Sequence, residues 1–157
     1  MWAQGNHHPS LTKMVTNWDV KKSRSRLKFL SGNYLTYKVK ADQSGGSPRC
    51  RICETGAEET VSHVISNCSG LQSERQKILP DISKLCNLTQ NIINFEELLQ
   101  SEEKLCQFIL DPTSLNLTLR VNLQDKLVPA FFQLSRDFCH VMDKTRLRLL
   151  KELAEKT

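Results

Sequence analysis

Four residues in this sequence stand at the spacing of metal ligands. Cys50, Cys53, His63 and Cys68 form the pattern Cys-x2-Cys-x9-His-x4-Cys. Two cysteines three positions apart can turn back on one ion, because the turn between them aims both sulfurs inward. The nine intervening residues, ETGAEETVS, include Gly56 and mostly polar side chains, and they can reverse the chain. His63 and Cys68 then approach from the other side, the first on a short helix over Val61–Asn67 capped by Thr60, the second at its end. Three thiolates and one imidazole fill a tetrahedron and leave no position for a reacting water, so the expected cofactor is one structural zinc ion. Such an ion contributes about 10–16 kcal/mol of apparent binding free energy, which a loop-rich segment with little core of its own requires. Arg51 and Ile52 fall at the tip of this knuckle.

The other three cysteines read differently. Cys86, Cys106 and Cys139 each lie within an apolar helical stripe, and a free thiol there packs as a small hydrophobe. Cys139 and His140 are neighbours on a helix and point different ways, so they make no second site. Three Asn-x-Ser/Thr triplets begin at Asn67, Asn87 and Asn116, but no apolar leader accompanies them. No run of about 18 apolar residues is present, so no membrane span is expected. These features point to the nucleus or cytoplasm rather than to secretion.

The 157 residues carry a net charge of +5 that is unevenly spread. Residues 1–53 hold 10 Lys/Arg against 2 Asp/Glu, whereas residues 54–110 hold 4 against 9. A basic arm beside an acidic-to-neutral body is the implied arrangement.

Hydrophobic periodicity predicts a mostly α fold. Leu11–Leu30 reads as one or two basic helices ending at Gly32-Asn33. Tyr34–Lys40 is a short helix or strand, and Ser44–Pro48 is a loop. Beyond the cysteines, a helix over 71–79 should stop at Pro80, and Asp81 should cap the next. Ile92–Leu99 suggests another helix, and Ser101 caps one more over the stripe Leu105, Phe108, Ile109 and Leu110. From Leu127 to Leu153 apolar residues recur at three- and four-residue spacing, the mark of a long amphipathic helix with Pro129 in its first turn. The expected architecture is a basic helical arm over 1–46, the zinc knuckle over 47–70 and a helical region over 71–157, with 47–157 as one compact unit.

The run CRICETGAEETVSHVISNC, preceded by the basic SPR, resembles the carboxyl-terminal zinc-binding region of non-LTR retrotransposon reverse transcriptases. The matching positions are Cys50, Cys53, Glu59-Thr60, His63 and Cys68, and RLKFLSG over 26–32 is similar to the Arg/Leu-rich helix that precedes them in that family. The helical tail is similar in texture. The resemblance implies a module that helps to hold template RNA or target DNA, beside the polymerase domain of a longer parent chain. The polymerase Tyr/Phe-x-Asp-Asp signature and an RNase H acidic set are absent, so no catalytic residue is expected, nor a small-molecule substrate.

The basic residues fit RNA or DNA as the partner. Lys21, Lys22, Arg24, Arg26 and Lys28 place five cations within eight positions, and Arg49 and Arg51 flank the first zinc ligand. Such side chains supply sequence-independent, salt-sensitive affinity for phosphates. Trp18, Tyr34 and Tyr37 interleave with them and are candidates for stacking on unpaired bases, although Trp18 and Phe29 also suit a core. Arg146, Arg148 and Lys151 read as the wet face of the last helix. The competing expectation is a protein-interaction domain in which zinc is purely structural.

Overall fold

A computed structural model of the chain describes residues 17–32, 34–89, 93–112 and 127–157, and of Asn17 and Trp18 the backbone alone. The expectations for residues 11–16, Asn33, Ile92, Asn116 and the Trp18 side chain lie outside the described residues. Six α-helices account for most of the rest: α1 (Asn17–Leu30), α2 (Tyr37–Ser44), α3 (Gln72–Asn87), α4 (Phe95–Leu99), α5 (Glu102–Leu110) and α6 (Leu127–Glu155). Among the described residues the only β pairing is an isolated antiparallel bridge between Arg49 and Glu58.

Local chemistry accounts for the helix boundaries. The Thr36 hydroxyl accepts from the Val39 N–H to start α2, Asn94 accepts from Glu96 and Glu97 to start α4, and Ser101 accepts from Lys104 to start α5. Gly32, at φ +69°, turns the chain after α1. Tyr34–Lys40, left open between helix and strand, turns out to be the entry to α2.

One expected break does not occur, since α3 runs through Pro80. The ring removes one backbone hydrogen bond and crowds the preceding turn. Pro80 is exposed, so water can satisfy the freed carbonyl. Meanwhile Arg75, Ile82 and Cys86 lie buried, and Ile78 and Leu79 pack against the core, along one inward face of the helix. Burial of that face holds the helix together across the proline. Asp81 is accordingly a mid-helix residue paired with Lys84, not a cap.

The long helix α6 organises the fold, with α1 and α3 packed along it. Helices α1 and α6 run parallel. Lys22 meets Asp137, Ser25 meets His140 and Lys28 meets Asp143, each pair 115 residues apart. The core behind this pair contains Phe29, Phe108, Phe131, Phe138 and Met142, with Phe108 and Phe131 edge to face at 5.4 Å. Cys86, Cys106 and Cys139 are all buried in it, as their stripes required.

Candidate metal centre

The knuckle is assembled from two short pieces of backbone. Around the Arg49–Glu58 bridge, the Cys50 N–H donates to the Ala57 carbonyl at 2.9 Å, and the Glu59 N–H donates to the Pro48 carbonyl at 2.8 Å. These bonds close a loop that carries Cys50 and Cys53 on its inner side. Gly56 at φ +72° makes the reversal possible. On the second piece, the Thr60 hydroxyl accepts from the His63 N–H at 3.0 Å and opens a single wide helical turn, His63–Asn67. The Cys68 N–H closes it on the His63 carbonyl, five residues back, at 2.7 Å. In an α-helix, residues five apart point about 140° away from each other. Widening the turn swings Cys68 toward the His63 side, as such insertions do at functional sites.

The four ligand atoms therefore converge. All lie within 4.8 Å of one another, and all four residues are buried. The Cys50 and Cys68 sulfurs are 3.8 Å apart, and the Cys53 sulfur is 3.3 Å from His63 Nε2. A tetrahedron with metal–sulfur bonds of about 2.3 Å has sulfur–sulfur edges of about 3.8 Å. The donor set and its dimensions fit zinc.

The surroundings favour anionic sulfur. Backbone N–H groups of Ile52 and Cys53 point to the Cys50 sulfur, that of Thr55 to Cys53, and that of Gly70 to Cys68. The Thr55 hydroxyl lies 3.1 Å from the Cys53 sulfur. Hydrogen bonding from the Cys68 thiol, and then from His63, pulls Cys50 down to about 3 against the effect of burial. Cys68 is pushed up by the same bond and by burial, and His63 is raised by its bond to Cys50. Hydrogen bonding within the cluster thus favours the thiolate of Cys50 and the protonated forms of Cys68 and His63, and a divalent cation can take the place of the shared protons.

Two buried residues that the sequence reading did not single out as supports hold the knuckle to the helices. Arg75 donates to the Ile65 and Cys68 carbonyls, both at 3.0 Å, and so pins the end of the wide turn. Glu59, fully buried, takes Arg146 of α6 through its Oε1 atom. The same oxygen accepts the Tyr37 N–H, and the Glu59 carbonyl accepts the Lys38 N–H. Glu59 was visible only as part of the Glu-Thr element of the family resemblance. Arg146 is therefore a buried anchor, not part of the wet face of α6, whereas Arg148 and Lys151 are exposed.

The basic residues divide in the same manner. Lys21, Arg24, Lys28, Arg49 and Arg51 are exposed, and Lys22 is half-buried against Asp137 at 2.6 Å. Arg26 does not belong with them. It is 1% exposed, and it donates to Ser135 at 3.0 Å and to the Leu110 carbonyl, with its guanidinium over the Phe132 ring. Burial lowers its pKa, and its hydrogen bonds all point into the body. Tyr34 is likewise withdrawn from any stacking role, because it is buried with its hydroxyl on Asp143 at 3.1 Å. Tyr37 alone of the expected stacking residues with a described side chain reaches the surface.

Ser25, His140 and Asp143 also meet. Ser25 Oγ is 3.3 Å from His140 Nδ1 and donates to Asp143 at 3.0 Å. A nucleophilic triad needs the carboxylate on the histidine, whereas here it takes the serine proton and also binds Lys28 and Tyr34. The group works as a buried clamp between α1 and α6. No helix among the described residues is long and apolar enough to cross a membrane. No protein-family model matches the chain, and neither do any curated protein or solved structure.

Proposed function

We propose that the chain is a zinc-dependent nucleic-acid-binding module. One zinc ion on Cys50, Cys53, His63 and Cys68 fastens the knuckle to the helices. The carrying observation is the buried set of three sulfurs and one imidazole nitrogen at tetrahedral separations. Such a closed set suits a structural ion and not a catalytic one. The exposed cations support the second half of the reading. Lys21 and Arg24 lie on α1, and Arg49 and Arg51 flank the first ligand. The spacing resemblance to non-LTR reverse transcriptases supports RNA or DNA as the partner and a role beside a polymerase domain.

Metal content of the purified protein tests the first half, with about one zinc per chain expected and none in Cys50→Ser. Salt tests the second, because affinity for a nucleic acid held through phosphates falls steeply as ionic strength rises. Charge reversal at Lys21, Arg24, Arg49 and Arg51 should abolish binding while leaving zinc content intact. Arg26 is excluded from that set, since reversing it would disrupt the core.

A second reading has its own observation. A protein partner would be met through exposed leucines such as Leu27, Leu35, Leu147 and Leu153, each at least 39% exposed. Nucleic-acid affinity that survives the four reversals, or that is absent at low salt, would turn the choice toward it.

A further inference from the structure

Most described cations of this protein are already engaged. Lys22, Lys28 and Lys38 sit in ion pairs, as do Arg148 and Lys151 on α6, and Arg26 and Arg75 are spent on buried groups. Lys40, Arg49 and Arg51 have no carboxylate within 4.0 Å among the described residues. Two of these three converge on one aromatic ring. The Arg51 guanidinium stands 4.5 Å from the centre of the Tyr37 ring, and the Lys40 ammonium stands 5.1 Å from it. Arg49 forms the isolated bridge with Glu58, whose carboxylate reaches Lys38, the residue after Tyr37.

The ring is held on a fixed base. Tyr37 is the first residue of α2, behind the cap Thr36, which is fully buried. Its N–H donates to the Glu59 carboxylate at 3.3 Å, and Glu59 is anchored in turn by Arg146. Ring and guanidinium therefore start from two backbones that are already fixed, α2 and the first turn of the knuckle. An aromatic face that needs no ordering loses little entropy on contact with a ligand.

We propose that Tyr37, flanked by Arg51 and Lys40, is the stacking platform for one unpaired base of a single-stranded nucleic acid. This rests on the nucleic-acid reading above and narrows it to a class of ligand. Tyr37 is half-buried, and a cation over such a partly exposed ring can move to a phosphate as the base arrives. Every base has a π face, so the platform tolerates any sequence. Asp42, Glu54 and Glu58 are exposed on the same segments, and they dilute the positive field that a long duplex backbone would need. A base-sized aromatic feature with two exposed cations thus selects an unstacked base over paired ones.

The test uses the zinc-loaded chain and a fluorescein-labelled 15-nucleotide oligouridine, read by anisotropy at low salt. Tyr37→Leu should weaken binding about tenfold, in keeping with the loss of one stacked base. Tyr37→Phe should bind as the parent does, and a duplex of equal length should bind less well. Photo-crosslinking with 5-iodouridine should map to Tyr37. Equal affinity of parent and Tyr37→Leu, with zinc content unchanged in both, overturns the platform and leaves the nucleic-acid reading standing. Crosslinks confined to other residues do the same. If the parent chain binds neither strand nor duplex, the broader reading falls and the platform with it.

Discussion

The carboxylate of Glu59 meets the guanidinium of Arg146 across 87 residues of sequence, with both side chains at most 4% exposed. Through this contact the loop carrying Cys50 and Cys53 is tied to the middle of α6. Burial pushes the Glu59 carboxyl up, and the guanidinium opposes that shift. Removing one partner leaves a buried charge alone, which costs about 3–5 kcal/mol. Glu59→Gln should therefore destabilise the protein by about that amount in urea unfolding, and should weaken metal retention as well. Replacing both residues, as Glu59→Leu with Arg146→Met, should cost much less than the two single changes added together. A double-mutant cycle that is strictly additive would show that the contact carries no coupling.

Arg24 and Arg26 are two positions apart on α1 and have opposite fates. Arg26→Met gives up bonds to Ser135 and the Leu110 carbonyl inside the core, at a cost of about 2 kcal/mol or more. Arg24→Met touches no buried partner and should leave unfolding midpoints unchanged, while lowering nucleic-acid affinity at low salt. Chemical denaturation and binding isotherms on the same two variants separate the roles. Equal destabilisation by both changes would contradict the inward orientation of Arg26.

Much of this arrangement was legible in the sequence, and the exceptions share a cause. The four ligands were readable because coordination demands particular atoms at short spacing. Thr60 and Ser101 were readable because a cap acts over three residues. The last helix announced itself by its apolar period. What escaped were charged residues whose partners are distant. Lys22, Ser25, Arg26 and Phe29 follow helical spacing and face α6, yet three of the four are polar, and a polar stripe reads as wet. Only the approach of Ser135, Asp137 and Asp143 from α6 turns it inward. Arg146 escaped for the same reason, its partner being Glu59. Pro80 misled because a local rule about backbone bonding gave way to the burial of Ile82 and Cys86 on the opposite face.

The six cysteines should fall into two chemical groups. With zinc bound, none should react quickly with iodoacetamide near pH 8. After chelation Cys50, Cys53 and Cys68 should label, and Cys86, Cys106 and Cys139 should label only on unfolding. Burial pushes Cys86 to about 12, Cys106 to about 11 and Cys139 to about 12. A thiol whose folded pKa exceeds its unfolded value of about 8.5 contributes its full stability below that pH. The contribution is lost as pH rises through the folded value, because the unfolded chain ionises first. Stability should therefore decline between roughly pH 9 and 12, and Cys139→Ala should flatten the decline. Mass-mapped labelling and denaturation at stepped pH provide the measurements.

Gly70 follows the last ligand by two residues and packs against the first loop of the knuckle. A Cβ placed there would collide with Ile52 Cγ2 and would stand 2.9 Å from the Ile52 carbonyl oxygen. Ile52 lies between Cys50 and Cys53, so relief of the clash must shift the turn that sets both sulfurs. The requirement at this position is space, since Gly70 is not among the residues with positive φ. Gly70→Ala should therefore lower zinc affinity by at least about tenfold, the scale of disturbances one layer outside a metal site. Shortening the neighbour in Gly70→Ala/Ile52→Ala removes the contact with Cγ2 but not the one with the backbone oxygen, so recovery should be partial. Competition with a chromogenic chelator measures both variants. Unchanged affinity in the single variant would mean that the two halves of the knuckle do not press on each other at Gly70.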